Sequence, residues 1–345
     1  MEENQINPDI VIYGAGAIGA SICGWITPVY SNVYLLARGQ NAQVIKTKGL
    51  ILYQNSLDYK KVIKVNIIDD LNEKPNTAVV IIAVKNYDLE EVAKDIYSKF
   101  GDNPIIIALQ NGVENQRVLP KYFSKVIYGD IMISAWRDQP GVFGHAVKGY
   151  AIIGTLNNNL QTEMNDIKNS FVGGFKFRIS QRIQDAIHTK LVFNLSNSIL
   201  TLINHTEIDK DSVPKLGHIY YRTLVEGINI LEIAGFKEHR LPGLVPWSVL
   251  KKVAKESDET SGTMVLNQIK GVGPNSMTQD IIIRQKTQSE LEHLNGYLIS
   301  LAKKLGISAP YSSTINELCK SQFQKKPFKQ LEAEDVWQVI QEKLK

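Results

Sequence analysis

Cysteine is scarce, with two residues in 345, Cys23 and Cys319. They lie far apart in neither a metal-ligand nor a redox spacing, which excludes a disulfide framework and a cysteine-based metal centre. A reducing cytoplasm is the expected setting, and no metal site is expected. Charge of one sign is also in short supply. The 39 basic and 35 acidic residues leave +4, which suits small anionic ligands but is too slight and dispersed for a nucleic-acid surface. Its densest patch, Lys325-Lys326-Pro327-Phe328-Lys329, reads as a solvated loop. Internal repeats and low-complexity tracts are absent. Residues 10 to 37 carry no charge, but they lack a basic leader and include Gly14, Gly16, Gly19, Gly24 and Pro28. The run is therefore neither a signal peptide nor a spanning helix, and no membrane partner is expected. Met1–Asn7 is polar and reads as a loose tail. What remains is ordinary soluble composition, 43% apolar and 21% charged, in a chain long enough for two domains and a substantial core.

The most informative stretch is Asp9 to Ala20, DIVIYGAGAIGA. An apolar, β-branched run from Ile10 to Tyr13 feeds Gly14-Ala15-Gly16-Ala17-Ile18-Gly19, and small or apolar residues continue to Ile26. The pattern predicts a strand, a tight turn and a helix. Gly14 permits the turn, Gly16 leaves room for a pyrophosphate against backbone, and Gly19 lets the helix lie close to the sheet. Unpaired N–H groups at the helix N-terminus then face the phosphates. A second strand, Asn32 to Ala37, ends in Arg38-Gly39. Dinucleotide sites for NADH place a carboxylate there, whereas a guanidinium suits a 2′-phosphate. NADPH is the expected cofactor.

Pro28 ends the first helix near Ile26. A helix over Asn41–Lys48, two short strands within Leu50–Ile68, and a buried strand over Thr77–Val84 follow, the last ending in Lys85-Asn86. Asp88 opens a helix to about Phe100, and Pro104–Leu109 is another buried strand, ending in Gln110-Asn111-Gly112. Ile127–Ser134 and Tyr150–Gly154 complete the sheet. This alternation predicts a doubly wound α/β domain of Rossmann type over residues 1–182, and an all-helical domain over residues 183–345. The clearest helices of the second are Ala186–Asn204, Lys215–Ala234, Pro246–Lys255, Leu291–Leu305 and Asp335–Lys343.

Ligands of open α/β sheets bind beyond the carboxyl ends of the strands, so the glycine turn, Lys85 and Asn111 form one expected wall. The helical domain is expected to supply the other. Along HTKLVFNLSNSILTLIN, at ~100° per residue, Asn194, Asn197, Ser198 and Thr201 fall at about +40°, −20°, +80° and +20° from Lys190. Amides and hydroxyls beside a single lysine make a pocket lining rather than a merely wet face. Ser276, with Gln279 three residues on, has the form of a capping box. Glu290 opens another helix. One unbroken helix would hold Ser276 and Glu290 ~21 Å apart, so both serve one site only if the chain breaks near Gln285–Thr287.

IYGAGAIG, LLARG, AVKNYD, ALQNGVEN, PGVFGHAVKGYAIIG, KLVFN, NSMTQD and ELEHLNGYL together resemble the ketopantoate reductase (2-dehydropantoate 2-reductase) family, in the family's order across nearly the whole chain. The resemblance implies a Rossmann domain followed by a helical domain, and NADPH-dependent reduction of a 2-oxo acid to a 2-hydroxy acid in pantothenate synthesis. It implies Lys190 as general acid, with Asn111 orienting lysine and nicotinamide and Lys85 holding cofactor or substrate. Gly14, Gly16, Ala17, Ile18, Gly19 and Arg38 would bind cofactor. Asn194, Ser276 and Glu290 would bind substrate or tune the lysine. Where the family carries a second asparagine this chain has Ser198, beside Asn197, and both count as candidate substrate contacts. The Ser276–Glu290 interval is also longer by two residues, and its approach reads Thr287-Gln288-Ser289-Glu290. The alternatives are a paralogous reductase of another 2-oxo acid or an imine, and a non-catalytic NADPH-sensing module. A small-molecule substrate is the expected partner, and a homodimer the candidate assembly.

Overall fold

The computed structural model describes residues 8–270 and 273–345, so the tail expected over Met1–Asn7 lies outside the described residues. The chain divides into two compact units, Met1–Ile183 and Gln184–Lys345, each with its own hydrophobic core.

The first unit is built on a mixed sheet of ten strands among the described residues. In chain order these are β1 (Asp9–Tyr13), β2 (Val33–Leu36), β3 (Leu50–Gln54), β4 (Lys61–Ile63), β5 (Asn66–Ile68), β6 (Thr77–Ile82), β7 (Ile105–Ala108), β8 (Val126–Gln139), β9 (Val142–Gly154) and β10 (Phe177–Ile179). The spatial order is β4-β3-β9-β8-β7-β6-β1-β2-β5, with β10 beside β9. From β8 through β7, β6, β1 and β2 to β5 all pairings are parallel. The uninterrupted apolar runs IVIY and VVII occupy the middle of this part, as strands covered on both faces require, and Val11, Ile12, Val80, Ile81 and Ile82 are fully buried. Helices Ala17–Ile26, Gly39–Lys48 and Leu89–Phe100 follow β1, β2 and β6. The fold is the α/β Rossmann type expected.

Several details differ from expectation, among them strand β10 beside β9. Leu50–Ile68 holds three strands rather than two, with a tight turn over Leu57–Tyr59 between the first pair. The segments Ile127–Ser134 and Tyr150–Gly154 are the inner ends of one long antiparallel hairpin, β8–β9, paired as far out as Gln139 and Val142. Helix Gln161–Ser170 was also not expected.

The second unit is helical. Its elements include Ile183–Leu202, Val213–Ile233, Trp247–Val253, Asp258–Ile269, Tyr297–Leu305, Pro310–Gln322 and Ala333–Leu344. Asp258–Ile269 and Pro310–Gln322 carry no strong periodic signal and were not expected. The first opens on the Ser257 hydroxyl, which accepts from Thr260 N at 3.3 Å. It crosses Val213–Ile233 where a Cβ on Gly217 would stand 2.1 Å from Gly262 N. The second is capped from another helix: Glu226 accepts from Tyr311 N at 3.0 Å and Ser312 N at 2.7 Å. Among the described residues no helix is long and apolar enough to cross a membrane.

His188 fixes the long helix Ile183–Leu202 within this core. Its ring is 1% exposed and stacks on Phe236 with centroids 3.6 Å apart. Nδ1 lies 2.7 Å from Gln184 O and Nε2 lies 2.7 Å from the Tyr297 hydroxyl. A carbonyl only accepts, so Nδ1 carries the proton and Nε2 accepts from Tyr297. Burial lowers the ring's pKa from 6.5 to about 4, so folding favours the neutral form. That stabilisation is complete above pH 6.5 and is lost as pH falls toward 4, to a limit of roughly 3 kcal/mol. Urea unfolding of the whole chain at pH 7 and pH 4.5 is expected to show this loss. His188→Gln should be less stable at pH 7 and lose correspondingly less on acidification; an equal pH slope in the variant would exclude His188 as its source.

Candidate functional site

In the first unit the carboxyl ends of β1, β6 and β7 are stitched together beyond the ladder. Ala83 N donates to Tyr13 O at 2.9 Å and Leu109 N to Ile82 O at 3.1 Å. The glycine turn, Lys85 and Asn111 therefore leave the sheet from three adjacent strands. Gly14 has φ +114, where a side chain is strained, and a Cβ on Gly19 would stand 2.0 Å from Gly14 O. The helix thus lies against the turn at backbone contact. A Cβ on Gly16 would meet nothing within 4 Å, which leaves open space at the helix start. Helix Ala17–Ile26 has no side-chain cap and no acid in its first turn, so its N–H groups and partial positive charge face that opening. Ala17 and Ile18 are part-exposed beside it.

Asn41 braces this loop and was not foreseen as a functional residue. Its Nδ2 donates to Ala15 O at 2.9 Å, and its Oδ1 accepts from Gly141 N at 2.8 Å in the β8–β9 turn. The only local signal is an amide three residues beyond Arg38, because Gly141 is distant in sequence.

Arg38 stands at the end of β2 with its side chain 62% exposed. Its Nη2 is 3.4 Å from the Tyr13 hydroxyl and 3.6 Å from Asp95 Oδ2. Tyr13 donates to the same carboxylate oxygen at 2.6 Å. Burial, with Asp95 beside it, raises the phenol's pKa well above its ordinary value, so it remains a donor.

Lys85 opens a short turn over Asn86–Asp88. Asn86 Nδ2 donates to Asn111 O at 2.8 Å, and Gln110 Nε2 donates to Ile82 O at 2.9 Å and Val84 O at 3.2 Å. Gln110 Oε1 is buried and has no partner among the described residues. Asn86 and Gln110 therefore tie the loops carrying Lys85 and Asn111 to each other, a role the sequence did not disclose.

In the second unit, Lys190, Asn194 and Asn197 are half-buried along helix Ile183–Leu202, while Leu191, Leu195, Ile199 and Leu202 lie in the core. The amides of Asn194 and Asn197 make no hydrogen bond among the described residues. Ser198 and Thr201 are corrected from the expected stripe, since both are completely buried. Ser198 donates to Leu195 O at 2.8 Å and accepts from Asn295 Nδ2 at 3.0 Å. Its offset of about +80° turns it toward the helix that follows Glu290. Thr201 meets Thr278 hydroxyl to hydroxyl at 2.9 Å.

The capping reading of Ser276 is also corrected. Asn275 is the cap, with its side chain accepting from Met277 N and Thr278 N at 2.9 Å each. Asn275 Nδ2 also reaches Asn197 O at 3.5 Å. The Ser276 turn is thus docked on the long helix beside Asn197, and the Ser276 hydroxyl is left without a partner among the described residues. The chain breaks where co-location of Ser276 and Glu290 requires it. A wide helical turn ends at Ile283, Gln285 has φ +53, and Lys286 N donates to Asp280 O at 2.9 Å. Glu290 is 4% exposed just before Leu291. Among the described residues no group of three or more His, Cys, Asp or Glu is placed to hold a metal ion.

Two family models match, Ketopantoate reductase PanE/ApbA over residues 10–158 and Ketopantoate reductase PanE/ApbA C terminal over residues 182–322. A 2-dehydropantoate 2-reductase of Archaeoglobus fulgidus is 25% identical over 313 residues, covering 90% of this chain and 96% of that protein. Among solved structures, a PanE/ApbA family ketopantoate reductase from Ralstonia eutropha JMP134 superposes with a TM-score of 0.71 at 22% identity, covering 92% of this chain and 100% of that one. A D-mandelate dehydrogenase with NADH and anilino(oxo)acetate has a TM-score of 0.72 at 19% identity, covering 91% and 98%. At these identities the two structures show the shared fold.

The glycines make a separable prediction. Gly19→Ala drives a methyl into a backbone carbonyl and is expected to cost about 1–3 kcal/mol of stability. Gly16→Ala should stay within about 1 kcal/mol of the parent yet bind a nicotinamide dinucleotide more weakly. Denaturant unfolding and calorimetric titration check both; equal losses of stability would contradict the division of roles.

Proposed function

The chain belongs to the ketopantoate reductase PanE/ApbA family, and on that premise we propose that it reduces 2-dehydropantoate to pantoate with NADPH. It is a nicotinamide-dependent oxidoreductase of that family; NADPH, the particular keto acid and the residue roles are the proposal, with a reducing cytoplasm as its setting. The observation that carries it is the half-buried set Lys190, Asn194 and Asn197, with the Ser276 turn docked alongside. A lysine beside the Asn194 and Asn197 amides and the Ser276 hydroxyl, which make no side-chain hydrogen bond among the described residues, suits a small, oxygen-rich acid better than it suits a solvated surface. The open backbone at Gly16, the uncapped helix below it and the orphaned Gln110 Oε1 fit a dinucleotide.

When bound, the cofactor supplies a hydride to the carbonyl carbon. Negative charge then develops on the carbonyl oxygen, and Lys190 meets it first as a cation and then as proton donor. Asn111 orients the nicotinamide. Asn194, Asn197 and Ser276 hold the substrate's hydroxyl and carboxylate, and Glu290 positions the lysine. Gly14, Gly16, Ala17, Ile18 and Gly19 cradle the pyrophosphate, Lys85 steadies cofactor or substrate, and Arg38 grips the 2′-phosphate. The burial of Ser198 against Asn295 favours a second reading, a reductase of another 2-oxo acid, since that position then offers substrate no hydroxyl.

Lys190→Ala is expected to slow turnover by ~10²–10⁴-fold with dinucleotide binding retained; unchanged turnover would make the lysine structural. Arg38→Glu should weaken NADPH far more than NADH, and equal weakening would remove the 2′-phosphate reading. Oxidation of NADPH by 2-dehydropantoate, measured against a panel of 2-oxo acids, tests the substrate. Turnover of a different keto acid alone would select the second reading.

A further inference from the structure

We propose that Asp95 sets how sharply this chain distinguishes a nicotinamide dinucleotide bearing a 2′-phosphate from one without it; the inference rests on reading Arg38 as the phosphate ligand. Three segments meet here. Tyr13 ends β1, Arg38 follows β2 on one side of it, and Asp95 sits on the helix that follows β6 on the other. The phenol bridges them, donating its single proton to Asp95 Oδ2 at 2.6 Å while its oxygen faces Arg38 Nη2 at 3.4 Å. The guanidinium itself is 3.6 Å from that carboxylate oxygen, and the Asp95 side chain is 29% exposed against 62% for Arg38. One partner is thus fixed and partly withdrawn from water, while the other is free to reorient.

The electrostatic consequence follows directly. A 2′-phosphate gripped by Arg38 in its present position brings a dianion next to the Asp95 carboxylate. If the guanidinium swings outward to the phosphate, the carboxylate loses its cation. Either course opposes the phosphorylated cofactor, because like charges at this range repel and an abandoned carboxylate keeps the phenol donor but no cation to neutralise it. A dinucleotide with a free 2′-hydroxyl meets a neutralised pair and suffers neither cost. Arg38 confers preference for the phosphate, and Asp95 holds that preference down. Asp95 is a specificity-determining residue acting through Arg38.

Calorimetric titration of the whole chain with NADP⁺ and with NAD⁺ tests this, using the parent, Asp95→Asn, Arg38→Ala and the double variant. Asp95→Asn retains an oxygen for the Tyr13 hydroxyl and removes only the charge. It is expected to raise the ratio of NAD⁺ to NADP⁺ dissociation constants by about three- to tenfold, through tighter NADP⁺ binding, and to have a much smaller effect in the Arg38→Ala background, where the phosphate is no longer held beside the carboxylate. Tyr13→Phe keeps both charges and should move the ratio less. Asp95→Ser makes the same charge change and serves if Asp95→Asn does not fold. A ratio unchanged in Asp95→Asn, while Arg38→Ala lowers it, overturns the role of Asp95 and leaves the Arg38 reading standing. A ratio unchanged in Arg38→Ala as well overturns both. An Asp95→Asn effect that persists in full without Arg38 shows direct repulsion of the phosphate rather than action through Arg38, and one matched by Tyr13→Phe shows a packing effect; either overturns the proposal.

Discussion

The contact between Gly19 and the Gly14 carbonyl is the constraint from which the nucleotide half of this protein follows. With space for no Cβ at Gly19, helix Ala17–Ile26 is pressed onto the turn that leaves β1. Its uncapped N-terminus therefore lies directly behind the opening at Gly16. Everything nearby reinforces that geometry. Asn41 holds the Ala15 carbonyl from one side, and the ends of β6 and β7 are tied to β1 and to each other by backbone bonds and the Gln110 amide. A rigid set of donors needs no reorganisation when an anion arrives, which is the condition for backbone N–H groups to bind phosphate well.

The helical unit is organised on a different principle. Its long helix Ile183–Leu202 is locked by polar contacts buried in an apolar core, chiefly His188 with Tyr297 and Ser198 with Asn295. Such contacts fix rotation about the helix axis, because a turn of even one residue would strand each of them unpaired. The rotation so fixed leaves Lys190, Asn194 and Asn197 half-buried together. Asn275, as the cap of its own turn and a donor to Asn197 O, sets Ser276 beside them.

How much of this the sequence disclosed depended on range. The glycine turn, the doubly buried strands and the long helices were legible because each is encoded by neighbours at a fixed period. The outer β8–β9 hairpin was not, since Arg137, Asp138 and Lys148 interrupt any apolar alternation and the pairing is made by backbone. Ser198 was misplaced because an angular projection locates a residue to within a face, and about +80° lies at the edge between wet and dry. Asn275 and Ser276 are both good caps, and only the backbone entering the turn decides between them. Asn41 to Gly141 and Tyr13 to Asp95 span 100 and 82 residues, separations at which a single sequence carries no signal.

The proposed reaction transfers a hydride from a bound nicotinamide dinucleotide to the carbonyl carbon of a 2-oxo acid. The most direct measurement supplies NADPH deuterated at C4, on each face in turn, with 2-dehydropantoate and a panel of related keto acids, and reads the product by mass spectrometry. Direct hydride transfer gives a 2-hydroxy acid carrying one deuterium at C2 from one face only. Binding of the dinucleotide with no deuterium reaching any of these acids would contradict it.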